Sequence, residues 1–360
     1  KLTGTVFLTK WHVHFFTLTS PMNLSRILPF VLSSCLTLTG CQGPNETTLA
    51  GASQGTTWHM KMVLRDASIS SDEIRADAEA VFKRVDERLS NWREDSEISR
   101  FNQQKDTEWH EVSPEIIVLT SVAQDIYEKT HGCYDLTVKP LFDLWGFNRH
   151  ELKIPTPGDI ARVRKHIGMD KLEIDPVERR MRKKDPAIEV SLDSIAQGYT
   201  VSVLSQLLET RGIQDYLVEV GGEMKVKGHK VDGSAWRVAV EKPTPLTREI
   251  QRVLDLRQAS GTAVMTSGTY RNFFESGAQT FSHIIDPRTG KPVTHNLLST
   301  TVLHEDPTLA DAWSTALLCV GEVEGAKLAE SEHLRSLLIY REGDQLKEQM
   351  STEFSTVTGP

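Results

Sequence analysis

The sequence predicts an α+β protein built as two intimately packed lobes of mixed sheet and helices. Three observations carry that expectation. Apolar positions at helical spacing and short alternating runs are interleaved along the 360 residues, with neither a regular βαβ alternation nor an internal repeat. Hydrophobic residues make up 39% and charged residues 25%, the balance of a globular chain rather than a disordered one. No segment in the body of the chain approaches the ~20 apolar residues that a membrane-spanning helix needs. The 41 Lys and Arg against 49 Asp and Glu leave a net charge of −8. That excludes a broad electrostatic grip on nucleic acid, which requires basic surface to displace phosphate counterions.

The amino-terminal stretch reads as an address. Residues 22–41 run MNLSRILPFVLSSCLTLTGC: a natural start at Met22, a basic Arg26 and an apolar run from Ile27 to Leu38. The run suits a signal peptide and is short for a membrane span. Its end, Leu38-Thr39-Gly40-Cys41, resembles the bacterial lipobox, in which the cysteine thiol is diacylated and the signal removed. On this reading residues 1–21 are an upstream extension, 22–40 a lipoprotein signal, 41–52 a flexible polar tether and 53–360 the folded domain. The expected location is the bacterial cell envelope, lipid-anchored through Cys41 and facing the periplasm, in either membrane. Each buried methylene of the lipid contributes roughly 0.8 kcal/mol to such an anchor. Cys35 leaves with the signal, so Cys133 and Cys319 remain. Their wide separation does not read as a disulfide framework, and no CxxC spacing suggests zinc.

The remaining elements follow in order. Thr57–Leu64 alternates as an entry strand. Val81, Val85, Leu89 and Trp92 share a helical spacing within a charged stretch beginning near residue 72. Ser113-Pro114-Glu115 starts a second helix, serine capping and proline first, which runs through Tyr127 to about Gly132. Residues 150–187 are polar and proline-rich and read as a surface excursion. A helix is expected over Ala196–Arg211, then strands at Tyr216–Val220, Trp236–Glu241, Val253–Leu256, Phe281–Ile285 and Ser299–Leu303. A helix over Thr308–Val320 and a strand at Ser336–Tyr340 close the chain.

Four stretches carry oxygen- and aromatic-rich chemistry. Asp311 and Thr315 lie four apart on a predicted helix, so their oxygens share one face. That oxygen-only pair suits a hard cation such as Mg²⁺, although spacing alone favours a helix-capping pair. Ser191, Asp193 and Ser194 precede a helix, where free backbone N–H groups can meet phosphate oxygens or where the side chains simply cap. Thr266-Ser267-Gly268, with Arg271 nearby, could let backbone approach a pyrophosphate. His283 is either a general base or a satisfied strand-end histidine. Tyr134, Trp145, Phe147 and Trp92 are either core or a clamp for a planar ring. Gly221-Gly222 reads as a tight turn. There is no GxxxxGK[ST] and no GxGxxG after a strand.

Taken in order, these stretches resemble the ApbE family, the Mg²⁺-dependent FAD:protein FMN transferases. The likeness rests on Gly132–Leu141, Gln197-Gly198-Tyr199, Leu217–Gly222, Thr266–Asn272, Ser282–Pro287 and Ala310–Trp313, and it spans about residues 55 to 355. It implies a T-fold-like architecture and transfer of FMN from FAD to a threonine or serine hydroxyl, with AMP leaving. It implies Mg²⁺ on Asp311, Thr315 and the Ser194 carbonyl, and FAD contacts at Gln54, Trp92, Cys133, Tyr134, Asp135, Ser191, Gln197 and Ile285. His283 is the candidate for handling the hydroxyl proton. Many relatives carry aspartate at the position of Ser191, and lysine or glutamate at that of Gln197. The implied acceptor is an exported flavoprotein of a redox-driven ion pump or a related electron-transfer chain. The alternatives are a Mg²⁺-dependent FAD pyrophosphatase giving FMN and AMP, and a non-catalytic FAD-binding lipoprotein.

Overall fold

A computed structural model describes residues 43–360, apart from 148–150, 245–246, 248, 257–259, 271–272, 277–278 and 359–360. The predicted extension, signal and lipobox, with Cys41, lie outside the described residues, as does Arg271. Residues 42–360 form one compact unit.

The chain opens with a hairpin, β1 (Asn45–Ser53) and β2 (Thr56–Leu64), then α1 (Ser71–Leu89), α2 (Glu97–Gln103), β3 (His110–Glu111), α3 (Pro114–Lys129), α4 (Lys139–Trp145) and α5 (Pro157–Arg164). Next come β4 (Leu172–Asp175), β5 (Arg180–Lys183), α6 (Ala196–Thr210), β6 (Tyr216–Val220), β7 (Glu223–Lys227), β8 (Trp236–Glu241), β9 (Ile250–Leu256) and β10 (Thr262–Gly268). The last part holds β11 (Phe273–Ser276), β12 (Gln279–Ser282), β13 (Ile285–Asp286), β14 (Lys291–Pro292), β15 (Leu297–His304), α7 (Pro307–Val320), α8 (Glu322–Ser331), β16 (Arg335–Glu342), β17 (Gln345–Met350) and α9 (Thr352–Thr358).

The main sheet has eight strands in the order β1-β2-β6-β7-β10-β15-β16-β17, each antiparallel to its neighbour. Strand alternation sends successive residues to opposite faces. Val218, Met265, Val302 and Leu338 face the helical side, in one core with α1, α3, α6 and α7. Val264, Leu303, Leu337 and Ile339 face the other way and pack on the β8–β9 ribbon and Phe354 of α9. Both faces are therefore covered, which explains why these central strands are apolar on two sides.

Three expectations need correction. Residues 41–52 are not all tether, because Asn45–Ser53 pairs residue for residue with β2 as an edge strand. An edge strand faces solvent on one side, so its polar sequence looked like linker. The stretch 150–187 is not mere excursion, since it supplies α5, β4 and β5, the helix opened by a Thr156–Asp159 capping box. Cys133 and Cys319 form a disulfide across a separation of 186 residues. Packing of α3 against α7 brings the two backbones together, and sequence distance does not report that.

Candidate active site

The site is built where α6 and α7 cross. Helix α7 starts at its cap Asp306, whose side chain accepts from the Thr308 N–H, with Pro307 first. Asp311 is therefore no cap; it lies in the second turn, 6% exposed, facing α6. Gly198 permits the crossing, since a Cβ there would sit 2.5 Å from both Asp311 Cβ and the Pro307 carbonyl oxygen. The Gly198 N–H donates to Asp311 Oδ2 at 2.7 Å. Gly198 is the third residue of α6, so its N–H is one of those a helix's first turn leaves without a partner inside the helix. The Ser194 carbonyl, just before the helix, is met by the Tyr134 hydroxyl at 3.4 Å, while Ser194 Oγ donates to the Tyr134 oxygen at 3.1 Å. Neither Ser191 nor Asp193 caps α6; the cap residue is Ile195, with no side-chain cap bond, and Ser191 Oγ instead donates to Asp193 Oδ2 at 3.1 Å.

Charge is costly in this corner. Burial pushes the Asp311 carboxyl up to about 7, against a smaller lowering by the Gly198 N–H. Burial also drives the Tyr134 phenol far up, and the neighbouring Asp311 charge adds to the effect. A buried carboxylate that titrates near neutrality is typical of sites that receive a cation or move a proton.

One turn beyond Asp311, α7 meets β10 through hydroxyls. Ser267 Oγ lies 2.8 Å from Ser314 Oγ and 3.0 Å from Thr315 Oγ1. Ser314 also donates to the Asp311 carbonyl at 2.9 Å, and Thr300 donates to the Ser314 carbonyl at 2.5 Å. Asp311, Thr315 and the Ser194 carbonyl thus offer oxygen donors of three kinds, a set matched to a hard divalent cation and poor for zinc. The Thr266–Gly268 stretch, whose hydroxyls and glycine read as room for a pyrophosphate, ends strand β10, and Ser267 was missed as the partner of Thr315.

The other predicted contacts come mostly from loops. Trp92 is not on the apolar face of α1, which ends at Leu89; it stands 70% exposed in the following turn. Beside it, Asn91 Nδ2 donates to the Val190 carbonyl at 2.8 Å and Asn91 Oδ1 accepts from the Leu192 N–H at 2.9 Å. Asn102 holds the same loop through both the N–H and the carbonyl of Val190, at 2.8 Å each. Nothing in the sequence marked these two asparagines, because no motif or periodicity includes them. Ser191 is tied to the aromatic segment by its own N–H, which donates to the Leu136 carbonyl at 2.7 Å.

Asp135 is buried, and its Oδ1 accepts from the Thr137 N–H and hydroxyl at 2.7 and 2.6 Å. Burial raises its carboxyl to about 6. Its side chain thereby shapes the loop that carries Tyr134. Cys133 and Ile285 are buried, in the disulfide and in the small core with Leu141 and Trp145, so each can offer the site only backbone. Gln197, in the first turn of α6, reaches the β6–β7 turn, and Gln54, in the β1–β2 turn, reaches α6. A Cβ on Gly221 would stand 2.7 Å from Gln197 Nε2, while Gln54 Nε2 donates to Thr200 Oγ1 at 3.2 Å. Gly221 and Gly222 form the β6–β7 turn with φ of 64° and 103°, left-handed values that glycine adopts at no steric cost. His283 lies between β12 and β13, half-buried.

The sequence and the fold have known counterparts. Residues 54–338 match the model of the ApbE family. The FAD:protein FMN transferase of Vibrio cholerae serotype O1 is 35% identical over 326 residues, covering 90% of this chain and 96% of that one. That of Escherichia coli K12 is 33% identical over 348 residues, covering 93% and 98%. Among solved structures, the flavin transferase ApbE from Vibrio cholerae superposes with a TM-score of 0.80 at 33% identity, covering 87% of this chain and 99% of its own. The apo flavinyl transferase ApbE of Pseudomonas stutzeri gives 0.80 at 31%, covering 88% and 98%. With the family model spanning most of the chain, and full-length relatives sharing a third of its residues, the chain belongs to the ApbE family.

Proposed function

We propose that this protein is a Mg²⁺-dependent FAD:protein FMN transferase that moves FMN from FAD onto a threonine or serine hydroxyl, releasing AMP. The observation that carries the reading is the buried Asp311 carboxylate, held by the Gly198 N–H one helical turn from Thr315 on the same helix. A buried carboxylate without a countercharge is costly, and a small hard cation supplies that charge while accepting these donors. Mg²⁺ held there would act as a Lewis acid, neutralising charge at the attacked phosphorus and on departing AMP.

The chain's own residues do the rest. Trp92 offers an exposed ring for stacking against a planar face, beside the Ser191 loop. His283 takes the proton of the acceptor hydroxyl. The acceptor oxygen then bonds to the FMN phosphorus, the pyrophosphate bridge breaks, and AMP leaves with the bridging oxygen. The acceptor is an exported flavoprotein of a redox-driven ion pump or a related electron-transfer chain. The protein is anchored through lipid on Cys41 and faces the periplasm; the Cys133–Cys319 disulfide supports this, since disulfides persist in oxidising compartments.

The test mixes the protein with FAD, Mg²⁺ and a candidate acceptor domain. The expected result is denaturation-resistant flavin fluorescence on the acceptor, equimolar AMP, and loss of both with EDTA. Free FMN and AMP formed equally well without any acceptor would replace the transferase by a pyrophosphatase. FAD that stays bound and intact would replace it by a binding protein.

A further inference from the structure

The Cys133–Cys319 disulfide joins the two halves of the site. Cys133 immediately precedes Tyr134, in the loop between α3 and α4, and Cys319 lies in the last turn of α7, the helix of Asp311 and Thr315. Cα atoms 5.9 Å apart are bridged over 186 residues of sequence. A third segment meets the same point, since an Asp286 carboxylate oxygen lies within 4.8 Å of both sulfurs. The two ends of the bond are held very differently. Helix α7 is buried between α6 and the sheet, with eleven of its fourteen residues inaccessible. The segment Gly132–Val138 has no ladder partner; it is fixed by turns, by Asp135 on Thr137, by Thr137 Oγ1 accepting from the Gly168 N–H at 2.6 Å, and by Leu136 on Ser191.

We infer that this disulfide is a positioning device for flavin binding, holding the Tyr134 loop against the helix that carries the chemistry. The inference rests on the function proposed above. It forms when the two thiols give up two protons and two electrons to an incoming disulfide, which leaves as two thiols. Both sulfurs belong to buried residues, 3% and 4% exposed, and the Asp286 carboxylate beside them disfavours an approaching thiolate. Once formed, the bond is a permanent strap rather than a reversible switch, and flavin-site competence depends on folding in an oxidising compartment.

The test compares the oxidised protein with its Cys133→Ala/Cys319→Ala variant, both well below their melting temperatures. The KM for FAD is expected to rise about tenfold or more, with a smaller change in kcat at saturating FAD. A strap that only adds stability would lower the melting temperature and leave both constants alone. That result, or an unchanged KM within twofold, would overturn the inference. Hydrogen exchange gives a reading that needs no activity. The amides of Tyr134, Thr137 and Ser191 are expected to exchange at least tenfold faster in the variant, with those of α6 and β10 unchanged. Equal exchange would overturn the inference even where no flavin is transferred, whereas an oxidised protein that binds no FAD would instead sink the proposed function. If that variant does not fold, a Cys133→Ser/Cys319→Ser variant provides the same exchange comparison.

Discussion

The two sides of the site are made in opposite ways. The corner of Asp311, Ser314 and Thr315 belongs to a buried helix packed on a central strand, and each of the three side chains there has a backbone or hydroxyl partner. The wall of Trp92, Ser191 and Tyr134 is loop, and what fixes it includes two asparagine side chains, one disulfide, turns, and a backbone bond from Ser191 to Leu136. Groups that stabilise a transition state need positions good to a fraction of an ångström, which packed elements provide. Groups that recognise a planar ligand tolerate more play and sit on loops. On this comparison, damage to the corner shows in turnover and damage to the wall shows in flavin affinity.

The largest effect is expected from Asp311→Asn. It keeps the shape and removes the charge, so Mg²⁺-dependent turnover should fall about 10³-fold or more while FAD binding persists. Steady-state kinetics with a separate binding titration would check it; near-normal turnover would remove Asp311 from the chemistry. Next comes Gly198→Ala. The added methyl meets Asp311 Cβ and the Pro307 carbonyl oxygen at 2.5 Å, so α6 and α7 must part. Overpacking of this kind costs about 1–3 kcal/mol, and displacement of the carboxylate should reduce kcat on the order of 10²-fold. Chemical denaturation and kcat measured on one preparation separate the two effects. Trp92→Ala should then raise the KM for FAD about tenfold, from lost stacking, and leave stability and saturated turnover nearly intact because the ring is exposed.

Legibility in the sequence divides along similar lines. Strand β6 was readable to the residue because Tyr216, Val218 and Val220 alternate with less buried neighbours. Helices α6 and α7 were readable from their apolar spacing and from Gly212 and Pro307. Strand β10 was not, since Thr266-Ser267-Gly268 shows no apolar alternation and its partners β7 and β15 are remote in sequence. Strand β7, with the sequence EMKVK, has too little apolar alternation to declare itself. The family motifs pointed to Asp311, Thr315 and Ser194, but not to the Gly198 N–H that holds the Asp311 carboxylate or the asparagines that hold the Ser191 loop. Those partners are remote in sequence, and only packing brings them into reach.

The smallest expected effect concerns pH. Asp311 and Asp135 are raised to about 7 and about 6 by burial, so between pH 4 and 7 the folded protein keeps protons that the unfolded chain has lost. Stability without metal therefore declines as pH rises through that window, by up to a few kcal/mol, and the decline is complete above about 7. A cation bound to ionised Asp311 offsets it. Saturating Mg²⁺ should accordingly raise the melting temperature by several degrees at pH 8 and by little at pH 5.5. A shift of equal size at both values would place the metal elsewhere.

The most direct measurement is a calorimetric Mg²⁺ titration, in the presence of FAD at pH 8, of the wild type and of Asp311→Asn. The account predicts one Mg²⁺ bound per wild-type chain and no detectable binding to the variant, which still holds FAD. The same Mg²⁺ stoichiometry and affinity in both proteins would contradict it.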